Sequence, residues 1–278
     1  MTGAIETALR ARRNDGGKCL VPYLTGGLGD DWLETVMAVA DAGADAIEIG
    51  VPFSDPVMDG PTIQEANDRS LGAGTTPQMI LDALRDADIG VPTAVMTYAN
   101  VVYRMGWERF MNELSATGVS GCILPDIPLE EADDWTRAAD HAGVETVMFA
   151  APTSPDERLP RIAERAGGFV YAVGLLGITG VRANLASSAL EIAGRVKAIT
   201  DKPVLVGVGV GTGVGVSIRY KAIRATPTVG SRVQNTSAAP SSSRSRRRRR
   251  RPFIVDLRTP TPSPRPPPLW SRVWSRSR

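Results

Sequence analysis

Short apolar runs alternate with amphipathic helical segments along the first three quarters of the chain. The runs that predict strands are residues 19–24, 44–50, 91–98, 119–126, 144–151, 169–173 and 202–210. Strand and helix repeat seven times with short links, which predicts parallel strands joined by right-handed crossovers. We therefore predict an α/β fold, a TIM (β/α)8 barrel whose eighth βα unit is missing or replaced. The alternative is an open doubly wound sheet, but "LTGGLGDD" after the first strand lacks its G-x-G-x-x-G spacing.

The composition changes sharply near Thr212. Of the 32 Lys and Arg residues, 16 follow Thr212 with one acid, Asp256, whereas residues 1–212 hold the other 16 and 29 of the 30 acids. We predict a barrel domain at 1–212 and a basic Ser/Arg/Pro-rich tail at 213–278, which cannot bury enough apolar surface to fold. The abrupt change without a linker favours a reading-frame change in the gene. The run "RSRRRRRR" at 244–251 would otherwise suit the phosphate backbone of a nucleic acid.

The cysteines and the single histidine restrict the chemistry. Cys19 and Cys122 both lie in apolar runs, which indicates buried thiols in a reducing compartment, and we expect the cytoplasm. There is no run of 18 apolar residues and no secretory signal pattern at the N-terminus, so we expect no membrane association. His141 sits at a predicted helix C-terminus, where a cation is favourable. Histidine-based catalysis and a metal site are therefore not expected.

One acid lies in the second predicted strand, and two more lie in the loop that follows it. Glu48 lies near the C-terminal end of the strand, where barrels place their reacting groups, between Ile47 and Ile49 on the opposite face. Burial would raise the pKa of this carboxyl and suit it to acid/base work, although a salt-bridged glutamate at the barrel mouth would look the same. Asp55 and Asp59 lie in the next loop, and each taken alone is typical of a turn.

Longer motifs are more specific. The stretch "IEIGVPFSDPVMDGPTIQ" resembles the signature of the tryptophan synthase alpha subunit family, and "LVPYLTGG", "MTYANVVYRMGWERF", "GCILPDIPLEE", "YAVGLLGITG" and "KPVLVGVGVGT" resemble other segments of that family in the same order. The resemblance covers about residues 1–212. It implies a (β/α)8 barrel that cleaves indole-3-glycerol phosphate to indole and glyceraldehyde 3-phosphate by a retro-aldol reaction.

The resemblance also implies roles for individual residues. Glu48 would be the acid/base group, and Asp59 would bind the indole N–H. The expected substrate contacts are Tyr98, Asn100, Tyr171, Gly177, Thr179, Gly207 and Gly209. The expected contacts with the partner β subunit of an α2β2 assembly are Pro52, Phe53 and Asp55. The chain itself would carry no cofactor, because pyridoxal phosphate belongs to the β subunit.

The chain departs from the family pattern after the seventh strand. Gly207 and Gly209 match the first half of the family's phosphate grip, but the Gly-Ser after an eighth strand has no counterpart. A barrel without its eighth strand has two unpaired edges and loses more burial than the roughly 5–15 kcal/mol margin of a domain. We therefore predict that this chain folds poorly and has little or no lyase activity.

Three other functions stay open from the sequence. The first is a defective barrel whose basic tail binds nucleic acid. The second is another phosphate-binding barrel, such as an epimerase or isomerase, although the order of the motifs argues against it. The third is a non-catalytic scaffold that only activates a β subunit.

Overall fold

The computed structural model describes residues 2–174 and 185–207. Seven strands lie in these ranges: β1 (Tyr23–Thr25), β2 (Ile47–Gly50), β3 (Thr93–Met96), β4 (Gly121–Ile123), β5 (Glu145–Ala150), β6 (Val170–Ala172) and β7 (Val204–Val206). The helices found there are α1 (Ala4–Asn14), α2 (Trp32–Asp41), α3 (Pro61–Gly72), α4 (Pro77–Arg85), α5 (Ala99–Met105), α6 (Trp107–Ala116), α7 (Asp133–Ala142), α8 (Leu159–Arg165) and α9 (Leu185–Lys197). A 3-10 turn at Leu129–Glu131 precedes α7.

The strands pair in their order along the chain, from β1 to β7, and every pair is parallel. A doubly wound sheet reverses its strand order at a switch point, so this sequential order excludes that alternative. The prediction of a TIM-type (β/α) barrel is confirmed, and seven of its strands lie in the described residues. Among the described residues, β1 and β7 each pair on one side only.

Two apolar layers follow from the alternation of side chains along each strand. The outer layer lies between the strands and the helices and includes Ile47, Ile49 and Val95. The inner layer fills the barrel and includes Ala46, Ala94, Ile123, Val147 and Phe169. Glu48 therefore points into the barrel, as does every second residue of β2.

Helix α1 closes the N-terminal end of the barrel. Ile5 and Leu9 are fully buried and belong to the inner layer. The Glu145 carboxylate of β5 accepts hydrogen bonds from the Ile5 and Glu6 amides at 2.8 and 3.0 Å, so it caps the helix. At the other end, the Arg10 guanidinium pairs with Asp201, just before β7, at 2.8 Å. The helix thus links the middle of the sheet to one of its edges.

Glycines follow several of the helices. Gly43, Gly118 and Gly143 follow α2, α6 and α7 with φ of 105°, 74° and 72°, a conformation that favours glycine. None of the helices in the described ranges combines the length and the hydrophobicity needed to cross a membrane.

Candidate active site

Glu48 is a buried carboxyl group that points into the barrel. It is the second residue of β2, its amide donates to the Pro22 carbonyl at 2.9 Å, and the residue is only 4% exposed. Burial, and then the nearby Asp59 charge, raise the pKa of Glu48 from 4.5 to about 8. The group therefore holds its proton at neutral pH and can donate it.

Asp59 is the second buried carboxyl group, and its loop fixes its position. The Asp59 amide donates to the Pro56 carbonyl at 3.2 Å, and the Gln64 side-chain amide donates to the Asp59 carbonyl at 2.9 Å. Gly60 and Pro61 then begin α3. Burial raises the pKa of Asp59, while a hydrogen bond from Tyr98 lowers it.

Tyr98 connects the Asp59 loop to the end of β3. Its hydroxyl accepts a hydrogen bond from the Met58 amide at 3.1 Å and donates to Asp59 Oδ2 at 3.2 Å. Its ring stacks on Phe53, with a centroid separation of 4.8 Å and an interplanar angle of 28°. Both hydrogen-bonding functions of the hydroxyl are used, so Tyr98 holds the Asp59 carboxylate in one place.

Tyr171 lies across the barrel on β6. Its ring stacks on Phe149 at 4.9 Å, and a β-carbon added to Gly207 would come within 2.7 Å of the Tyr171 hydroxyl. Burial, followed by the charges of Glu48 and Asp59, raises the pKa of Tyr171. Tyr171 and Gly207 therefore belong to the same mouth as the two carboxyl groups.

Asn100 is the described substrate-contact residue that the structure separates from this cluster. It is exposed on α5 and lines a surface groove of about 480 Å³ with Thr76, Gln78, Arg104 and Arg109. Neither carboxyl group lines this groove. Gly177, Thr179 and Gly209 lie outside the described residues.

The three residues expected to contact a partner differ in exposure. Pro52 is buried and Phe53 is half-buried under its stack with Tyr98. Asp55 is exposed and accepts a hydrogen bond from the Ser54 hydroxyl at 2.6 Å, and Val57 nearby is 72% exposed. Of the three, Asp55 is therefore the most exposed.

Sequence reasoning missed two aromatic residues of the site, Tyr23 and Phe149. Both side chains face the barrel interior, because they alternate with outward-facing residues of β1 and β5. The available signal was this alternation at the strand ends, where Tyr23 stands two residues after Val21 on the same face. In the described ranges, no group of three or more His, Cys, Asp or Glu residues is arranged to hold a metal ion.

Together the described residues supply an acid and a carboxylate to one partly enclosed space. Glu48 can give a proton to a carbon and take one from a hydroxyl, and Asp59 can accept a hydrogen bond from an N–H. Tyr23 of β1, Tyr98 after β3 and Tyr171 of β6 lie near the two groups, and Phe149 of β5 stacks on Tyr171. Such a site suits a planar aromatic substrate whose reaction needs proton transfer and stabilisation of positive charge.

Comparisons with known proteins agree with this chemistry. The family model "Tryptophan synthase alpha chain" matches residues 9–251, which extends past Thr212, where the composition changes. The relative of the same name from Streptomyces coelicolor is 43% identical over 208 residues, which cover 73% of this chain and 77% of that one. The relative from Gloeobacter violaceus is 43% identical over 209 residues, which cover 73% of this chain and 74% of that one.

Solved structures give the same result. A Mycobacterium tuberculosis tryptophan synthase structure matches with a TM-score of 0.70 and 37% identity, over 76% of this chain and 82% of that one. A chain of the Pyrococcus furiosus tryptophan synthase α2β2 complex matches with a TM-score of 0.65 and 38% identity, over 73% and 84%. By its sequence and by its fold, this chain belongs to the tryptophan synthase alpha chain family.

Proposed function

We propose that the chain is a lyase of tryptophan biosynthesis that cleaves indole-3-glycerol phosphate to indole and glyceraldehyde 3-phosphate. The observation that carries the proposal is the pair of buried carboxyl groups, Glu48 and Asp59, in different surroundings. Burial raises the pKa of Glu48 to about 8, so Glu48 keeps its proton. Burial also raises the pKa of Asp59, but the hydrogen bond from Tyr98 opposes that rise and favours the charged form. Two titratable groups with separated roles are typical of acid/base catalysis at one site.

The reaction needs a proton at indole C3 before its bond to the glycerol chain breaks. Glu48 gives that proton, and the Asp59 carboxylate accepts the indole N–H and stabilises the positive charge that develops on the ring. The bond between C3 and the glycerol carbon then breaks, its electrons return to the ring, and the hydroxyl on that carbon becomes the aldehyde. Glu48 takes the proton of this hydroxyl and is restored.

The aromatic residues support substrate binding. Tyr98 donates a hydrogen bond to Asp59, and Tyr171 lies close enough to both carboxyl groups to feel their charges, so both rings are available to pack against a planar substrate. Gly207, and in the sequence Gly209, follow β7 where backbone amides can bind phosphate. The substrate roles of Gly177, Thr179 and Gly209 stay predictions, and Asn100 has no described contact that supports one.

We also expect a partner. The Pyrococcus furiosus relative belongs to an α2β2 complex, and we expect a β subunit to bind the exposed loop that contains Asp55 and Val57. Proton transfers suffice for the cleavage, so we expect no cofactor in this chain and pyridoxal phosphate on the β subunit. A cytoplasmic location and the domain boundary near Thr212 stay predictions, and nothing in the family match supports nucleic-acid binding by the tail.

The test is indole release from indole-3-glycerol phosphate by the purified full-length chain, alone and with a β subunit. We expect slow release that Glu48→Gln abolishes, because the sequence supplies only half of the phosphate grip. Rapid release together with a cooperative thermal transition would refute the expectation of poor folding and low activity. Indole release that persists in Glu48→Gln would refute the assignment of the acid.

The same variant separates a catalyst from a scaffold. If Glu48→Gln loses indole release but still activates a β subunit, the chain is both a lyase and an activator. If a folded wild-type chain activates the β subunit without any indole release of its own, the chain is a scaffold and the proposed activity is wrong.

A further inference from the structure

Tyr23 has no role in the chemistry described above, yet its position on β1 is closely tied to Glu48. The register of the first two strands places Tyr23 directly beside Glu48. The edge of β1 leaves part of the residue exposed, but burial around the hydroxyl raises its pKa. The phenol therefore reaches from β1 into the enclosed part of the site.

Gly50 provides the space for this phenol. A β-carbon added to Gly50 would lie 1.9 Å from the Tyr23 hydroxyl oxygen and 2.4 Å from the ring carbon that bears it. Gly50 is two residues beyond Glu48, so both point into the barrel, and Gly50 is nearer its mouth. The Tyr23 phenol thus occupies the volume directly on the mouth side of the Glu48 carboxyl.

The same arrangement occurs at β6 and β7. Tyr171 stands beside Leu205 in the register, and Gly207, two residues further along, leaves room for the Tyr171 hydroxyl. In both cases a tyrosine leans over the next strand and fills the place of a side chain that a glycine lacks. Gly50 therefore leaves room for the Tyr23 phenol, as Gly207 does for the Tyr171 phenol.

The ionisable groups around Glu48 come from four elements. They are Tyr23 on β1, Asp59 in the loop before α3, Tyr98 after β3 and Tyr171 on β6. Asp59 is the charge that acts on Glu48, whereas burial is the larger cause of the raised Glu48 pKa. The pKa of Glu48 therefore depends more on the groups that bury its carboxyl than on neighbouring charges.

We propose that Tyr23 is a positioning residue of this site, whose phenol, seated over Gly50, covers the Glu48 carboxyl on the mouth side and excludes water from it. The catalytic meaning of this inference rests on the proposed lyase function. The covering of Glu48 does not, because it can be measured without substrate.

The experiment is an NMR titration of the full-length chain labelled with ¹³C at glutamate side chains, with Glu48 assigned by its loss in Glu48→Gln. In the wild-type chain we expect a Glu48 pKa near 8. In Tyr23→Ala we expect it to fall toward 4.5, the ordinary glutamate value, because water reaches the carboxyl. Tyr23→Phe keeps the ring and should leave the pKa of Glu48 unchanged.

Gly50→Ala tests the contact between Gly50 and the Tyr23 phenol from the side of β2. Its methyl group would displace the phenol, so we expect it to lower the pKa of Glu48 as Tyr23→Ala does and to add nothing further in the double variant. The matched control is Gly72→Ala, because a β-carbon at Gly72 meets no atom within 4 Å. If Gly50→Ala does not fold, the comparison of Tyr23→Ala with Tyr23→Phe still decides the question.

A Glu48 pKa that Tyr23→Ala leaves unchanged would overturn the inference, and so would a fall in Tyr23→Phe equal to that in Tyr23→Ala. The pH profile of kcat supplies a second measurement. Glu48 must be protonated to act, so the loss of kcat at high pH should move to lower pH in Tyr23→Ala. A chain that releases no indole but shows the expected titrations would refute the lyase and leave the role of Tyr23 intact.

Discussion

Replacing Glu48 by glutamine should change how the stability of the protein depends on pH. In the folded chain the pKa of Glu48 is raised from 4.5 to about 8, and the residue is 4% exposed. Between these two pH values the unfolded chain releases a proton that the folded chain retains. The stabilising contribution of this group is therefore complete below pH 4.5 and is lost as the pH rises to about 8.

The magnitude follows from the slope of this linkage. One proton retained by the folded state costs about 1.4 kcal/mol of stability per pH unit, which accumulates to roughly 5 kcal/mol over the whole interval. Glutamine has nearly the shape of the protonated acid and does not titrate. The free energy of unfolding of Glu48→Gln, relative to wild type, should therefore rise by up to about 5 kcal/mol between pH 4.5 and pH 8.

The assay is urea unfolding, followed by circular dichroism, at half-unit steps from pH 5 to pH 8.5. With a urea slope of roughly 2 kcal/mol per molar, the two midpoints should separate by about 2 M across the range. The control is Glu164→Gln, which replaces an exposed glutamate of α8 and should track wild type at each pH. A constant difference between Glu48→Gln and wild type would refute the raised pKa and the acid role built on it.

Three further predictions concern other residues. Tyr98→Phe removes the hydrogen bond to Asp59, so the pKa of Asp59 should rise further. Loss of this bond, worth roughly 1–3 kcal/mol, should lower kcat about 10- to 100-fold, and a pH profile of kcat measures both effects. Glu145→Ala leaves two buried amides of α1 without their acceptor and should lower the free energy of unfolding by about 3 kcal/mol in a urea titration, whereas Glu164→Ala should not. Asn100→Ala should leave kcat and KM within about twofold of wild type, because the residue is exposed in a separate groove; a large rise in KM would restore the substrate role that the sequence implies.

Strand order could be predicted from the sequence because short apolar runs between amphipathic helices allow few topologies. The inward direction of Glu48 followed from the alternation along β2. Helix α5 was not predicted, since "ANVVYRM" buries Val102 while its other described residues are partly or fully exposed, and so shows no clear apolar face.

Contacts between strands could not be predicted in the same way. The pair formed by Tyr23 and Gly50 depends on the register of β1 against β2, which the local sequence does not specify. Asn100 is exposed on α5 and lines a surface groove, and its substrate role stays a prediction. Pro52 is buried in the chain by itself, and its place at a partner surface stays a prediction.

The contacts of α1 can form only late in synthesis, because their partners lie far along the chain. This helix leaves the ribosome before its partners do: its cap, Glu145, lies 140 residues after Ile5, and the Asp201 carboxylate lies 191 residues after Arg10. Until these residues emerge, the apolar face of α1 and the N-terminal end of the barrel are not covered, and the helix is free to bind a chaperone. A ribosome stalled before Glu145 should therefore carry a chain whose N-terminal segment is open to proteases, and one stalled far beyond Asp201 should carry a protected segment.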